Sequence, residues 1–97
     1  MLSGKRILVA EDNEWIAAGL VDAIIGCDGI ALGPAQTTTA ALALILELPD
    51  GAILDANLLD GPITPVARAL CDKSVPLVIF TGLCLPRISE GRTQTSP

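Results

Sequence analysis

A chain of 97 residues has room for one small domain with one core, and at 51% hydrophobic but only 2% aromatic it must build that core from Leu, Ile, Val and Ala. Its net charge of −5 argues against a broad nucleic-acid surface, and the complete lack of histidine removes a phospho-histidine, a histidine base and a histidine metal ligand. Three cysteines, Cys27, Cys71 and Cys84, are far apart and odd in number, so they fit neither a zinc site nor a disulfide framework and imply reduced thiols. Lys5 and Arg6 precede an apolar run too short for a signal peptide, and no run approaches the ~18 residues of a membrane span, so the expected location is cytoplasmic.

Lys5 to Ala10 is a short continuous apolar strand of the kind buried on both faces of a parallel sheet, and Glu11 and Asp12 stand at its end. Asn13 is suited to cap the helix that follows, with Glu14 in its first turn, where the helix dipole favours negative charge. Ala17, Leu20, Val21, Ile24 and Ile25 recur at helical spacing as one apolar face, and the segment from Gly26 to Gly29 stops the helix. Trp15, one helical turn from the acid pair, is either partner-facing or half-buried, and half-buried is the expectation. Ile30 to Leu32 forms a brief second strand closed by Gly33-Pro34. A Thr37-Thr38-Thr39 run starts a second helix with Ala41, Leu44, Ile45 and Leu48 inward, and Pro49 ends it. The run Gly51-Ala52-Ile53-Leu54-Asp55 is a third strand that delivers a carboxylate to the rim of a sheet, with Asn57 and Asp60-Gly61 in a turn behind it. Thr64-Pro65 starts a third helix with Val66, Ala69 and Leu70 inward, and Val75-Pro76 opens a fourth strand that runs to Thr81. Strands alternating with helices imply βαβ units and a parallel sheet covered on both faces.

Taken singly, each polar strand end has an ordinary explanation: Glu11 and Asp12 as helix-start acids, Asp55 as a cap, Thr81 as a β-branched strand residue. Three such ends together, an acid pair, an aspartate and Thr81-Gly82, sit where open α/β sheets bind ligands. In this the chain resembles the receiver domain of bacterial two-component response regulators, over roughly residues 5 to 83. The resemblance implies an α/β, flavodoxin-like three-layer sandwich with sheet order 2-1-3-4. It implies that Asp55 accepts a phosphoryl group from a histidine kinase or phosphotransfer protein and that Thr81 contacts that group. It further implies that Mg²⁺ is held by Glu11, Asp12, Asp55 and the backbone carbonyl of Asn57. No cofactor other than Mg²⁺ is expected, and any enzymatic role is limited to assisting the chain's own phosphorylation and dephosphorylation.

The resemblance weakens after residue 83. The family's lysine at the end of a fifth strand has no counterpart, because no lysine follows Thr81, and residues 84–97 show neither helix nor strand period. The expectation is an incomplete receiver over residues 1–83 followed by an irregular or disordered tail over 84–97, with the fifth strand and last helix missing. A degenerate receiver acting as an interaction or dimerisation module is the alternative. With the fifth strand gone, residues 76 to 83 become an exposed edge suited to self-association, while no direct nucleic-acid or membrane partner is expected. A haloacid-dehalogenase-type phosphohydrolase also uses a strand-end aspartate, but that chemistry needs a second aspartate where this chain has Asn57.

Overall fold

The computed structural model describes residues 2–80. Four strands make one sheet: β1 (Arg6–Ala10), β2 (Ile30–Ala35), β3 (Gly51–Asp55) and, beyond a small hairpin of β4 (Asn57–Leu58) and β5 (Gly61–Pro62), β6 (Leu77–Phe80). Their order is β2-β1-β3-β6 and every neighbouring pair is parallel, which is the second-first-third-fourth order of a flavodoxin-like sheet. Helices α1 (Glu14–Gly26), α2 (Thr38–Ile45) and α3 (Thr64–Asp72) make the crossovers.

Alternation along the strands splits the core between the two faces. Leu8 and Ala10 of β1 and Ala52 and Leu54 of β3 cluster with Ala41 and Ile45 of α2 and with Val66 and Leu70 of α3. Val9, fully buried but on the opposite side of the strand, belongs to the face covered by α1, where Ala17 and Ile24 are buried. The helix starts follow their chemistry. Asn13 Oδ1 accepts from the N–H groups of Trp15 and Ile16, Thr37 Oγ1 accepts from Ala40 N, and a proline occupies the first turn of α3.

Several details differ from the sequence pattern. The second strand does not close at Gly33-Pro34 but continues to Ala35; β2 is an outer strand of the sheet, where the missing proline N–H is tolerated. Gly33 has φ +107°, and a Cβ there would lie 2.7 Å from the Val9 carbonyl oxygen, so glycine alone permits this close approach to β1. α2 ends at Ile45 rather than near Pro49, and Leu48, in a left-handed turn at φ 59°, is exposed instead of inward. Ile25 is exposed too, because the buried stripe of α1 runs through Ala17 and Ile24 and is narrower than the apolar face. Trp15 is 88% exposed, not half-buried, since nothing packs over the first turn of α1 among the described residues. Thr81 and the 84–97 tail lie outside the described residues.

Leu54 is fully buried in β3 between α2 and α3. Leu54→Ala should destabilise the fold by about 3 kcal/mol through lost transfer energy and a residual cavity, whereas Leu46→Ala, at an exposed position, should change it by less than about 0.5 kcal/mol. Urea denaturation of the two variants checks the contrast.

Candidate functional site

The register of β1 on β3 pairs Ala10 with Leu54, so Glu11, just past the end of β1, and Asp55, the last residue of β3, emerge side by side. Asp12 follows Glu11, and the three carboxylates can each offer an oxygen such that all lie within 4.8 Å of one another. Glu11 is 1% exposed and Asp55 7%, while Asp12 is half-buried. The sequence-derived acid pair and the strand-end aspartate are therefore brought together.

Glu11 is held firmly on one side only. Its backbone N–H donates to the Ala35 carbonyl at 2.9 Å, and its Oε2 accepts from Asn13 N at 2.8 Å. Its Oε1 is buried with no hydrogen-bond partner. Burial, opposed by the Asn13 hydrogen bond and reinforced by Asp12 and Asp55, pushes the Glu11 carboxyl up from 4.5 to about 7. Asn57, expected to supply a carbonyl, is exposed, and its N–H lies 3.4 Å from Asp55 Oδ1. Thr81, the expected phosphoryl contact, falls outside the described residues. Among the described residues the one ion pair, Arg6–Glu47 at 3.3 Å, sits at the opposite end of β1, so no cationic side chain there neutralises the cluster.

Such a cluster could hold a hard cation. The donors are carboxylate oxygens, one buried Glu11 oxygen has no hydrogen-bond partner, and burial, reinforced by Asp12 and Asp55, raises the proton affinity of Glu11. The residues present thus fit Mg²⁺.

Asp60 goes beyond its expected role as a turn residue. Its carboxylate accepts from Thr38 N (2.7 Å), Thr38 Oγ1 (2.8 Å) and Thr39 N (3.4 Å), capping α2 from a distant part of the chain. These bonds hold the carboxyl below its ordinary range. No local motif announces a cap supplied across 22 positions.

No family model matches the chain, and no curated protein sequence matches it. Solved structures do. SdrG from Pseudomonas melonis Fr1, in its BeF3-activated conformation, shares 38% identity at a TM-score of 0.65, over 81% of this chain and 69% of that one. The chain belongs to the receiver family of response regulators. The response regulator PhyR from Brucella abortus aligns at 29% identity and TM-score 0.71, over 78% of this receiver and 32% of that protein. A double mutant of the anti-anti-sigma factor PhyR from Bartonella quintana, at 20% identity and TM-score 0.72 over 80% and 34%, shares the fold. The receiver spans about a third of either PhyR chain.

A raised carboxyl pKa fixes the sign of a pH effect. The stabilising contribution of protonated Glu11 is complete below about 4.5 and is lost as pH rises through about 7. In chelator-treated protein, thermal stability should therefore fall between pH 5 and about 7.5, and Glu11→Gln, which imitates the protonated acid, should flatten that slope. Melting curves across the pH range for both proteins measure it.

Proposed function

We propose that this receiver accepts a phosphoryl group on Asp55 from the phospho-histidine of a histidine kinase or phosphotransfer protein, with Mg²⁺ at the Glu11, Asp12 and Asp55 carboxylates and the Asn57 backbone carbonyl. The observation that carries the reading is the convergence of three carboxylates within 4.8 Å, one of them, Glu11, with a buried oxygen that has no hydrogen-bond partner. The BeF3-activated conformation of SdrG supports it as well.

In this mechanism a carboxylate oxygen of Asp55 attacks phosphorus as the phosphorus–nitrogen bond of the donor imidazole breaks. The products are an acyl phosphate on Asp55 and a free imidazole that takes up a proton. Bound Mg²⁺ supplies positive charge against the phosphoryl oxygens and against the three carboxylates. Glu11, fixed through Ala35 and Asn13, and Asp12 hold their oxygens at the mouth of the sheet, and the buried floor of Leu8, Ala10 and Leu54 keeps water from the back of Asp55. We assign the phosphoryl contact to Thr81 and the receiver unit to residues 1–83.

Mg²⁺ should raise stability by about 1.4 kcal/mol at about ten times its Kd and shift Trp15 fluorescence, and Asp12→Ala should abolish both responses. With Mg²⁺ and a small phosphodonor such as acetyl phosphate, intact-mass analysis should find one added phosphoryl group, and Asp55→Asn should prevent it. Equal labelling of Asp55→Asn would exclude this aspartate as the acceptor.

A second reading, a receiver that serves as an interaction or dimerisation module, is favoured by β6, which among the described residues is an outer strand of the sheet. Val78 is 62% exposed, and with Ile7, Ile24, Ile53 and Leu77 it lines an open, largely apolar groove of about 460 Å³. On this reading the chain pairs with a second copy along β6. Light scattering across a dilution series should show a dimer that Val78→Lys dissociates, and a monomer at every concentration would remove the reading.

A further inference from the structure

We infer that Asp60 is a positioning residue for the acid cluster: it clamps the loop behind Asp55 to the N-terminus of α2 and so holds the Asn57 carbonyl in place for the cation. The inference rests on the proposed Mg²⁺ site and adds a residue that touches neither metal nor phosphoryl group.

The clamp acts on the first turn of α2. Helix starts leave N–H groups without partners inside the helix. Here Thr37 Oγ1 takes the N–H of Ala40, while those of Thr38 and Thr39 are taken by the Asp60 carboxylate, which also accepts the Thr38 hydroxyl. Asp60 lies at the tip of the small hairpin, between Leu58 and Gly61, which pair across it, and Asn57 pairs with Pro62 one step nearer the site. Leu59, its neighbour at the tip, donates its N–H to the Gln36 carbonyl at 3.1 Å. At the other end, Ala56 N donates to the Phe80 carbonyl, and the Ala56 carbonyl accepts from Ile63 N. The loop is thus tied to the sheet at its base and to the β2–α2 junction at its tip.

That same junction holds the other half of the cluster. The Ala35 carbonyl accepts the Glu11 N–H, one residue before Gln36 receives Leu59 and three before Thr38 meets Asp60. A stretch of five residues, Ala35 to Thr39, therefore braces both the Glu11 strand end and the Asp55 loop. Releasing Asp60 leaves the hairpin tip tied to the junction by the Leu59–Gln36 hydrogen bond alone and so loosens the hold on Asn57. Groups that orient metal ligands through hydrogen bonds commonly change affinity when removed, and Asp60 acts through a short backbone path rather than on a ligand side chain.

The test is Mg²⁺ titration of the full chain, by calorimetry and by Trp15 fluorescence, alongside thermal melts. Asp60→Ala should weaken Mg²⁺ binding by about threefold to tenfold, and Asp60→Asn, which keeps an acceptor oxygen for Thr38 N, should restore it to within about twofold. Thr37→Ala is the structural control. It removes a cap from the same helix start without touching the clamp, so it should lower the melting temperature and leave Mg²⁺ affinity unchanged. Unchanged affinity in Asp60→Ala overturns the inference, as does an equal loss in Thr37→Ala. If Asp60→Ala does not fold, Thr38→Val, which deletes only the hydroxyl donor, is titrated instead; weaker binding supports the clamp and unchanged binding overturns it. A wild-type chain with no Mg²⁺ response removes the proposed site together with this role, whereas wild-type binding with an indifferent Asp60→Ala removes this role alone.

Discussion

Three carboxylates held within 4.8 Å of one another, two of them buried, form an arrangement that ordinary folding does not favour. Burial desolvates the Glu11 carboxylate, and Asp12 and Asp55 beside it add to the resistance to its ionisation. Either a proton or a cation must relieve that repulsion. The rest of the molecule is organised to impose it: parallel register levels the ends of β1 and β3, and the close approach at Gly33 carries β2 on to Ala35, whose carbonyl fixes Glu11.

A scaffold that stores this repulsion has to be stiff elsewhere, and here stiffness comes from aliphatic packing. Leu8, Val9, Ala10 and Leu54 are completely buried immediately behind the acids, so the strands cannot relax apart without exposing the centre of the core. On the opposite face from α1, α2 and α3 pack as a pair against β1 and β3, and small residues such as Ala41 and Ala52 let the layers approach closely. The polar work is confined to the carboxyl ends of the strands. The ion pair Arg6–Glu47 and the hydrogen bond from Arg6 N to Asp50 secure the other end of β1.

Hydrogen bonds from the β2–α2 junction connect the two halves of the rim. The Glu11 strand end and the Asp55 loop are far apart in sequence, and each is anchored to Ala35–Thr39 through backbone or carboxylate contacts. Both are therefore connected to the start of α2.

Much of this was legible from residue order. An apolar run ending in Glu11-Asp12, another ending in Asp55, Asn13 as a cap, the Thr37-Thr38-Thr39 run as a helix start, and the helical spacing of Ala17 and Ile24 or Val66 and Leu70 all report local geometry, which neighbouring residues determine through hydrogen bonding and periodicity. Tertiary structure decided what depends on distant partners. Ile25 and Leu48 carry the right period yet are exposed, because the width of a buried stripe is set by the surface it meets. Asp60 looks like a turn residue until Thr38 and Thr39 are folded beneath it. Glu11 is an ordinary carboxylate in sequence and acquires its high proton affinity only when burial, Asp12 and Asp55 act on it together. Burial and charge coupling are properties of the assembled neighbourhood, and no single segment contains it.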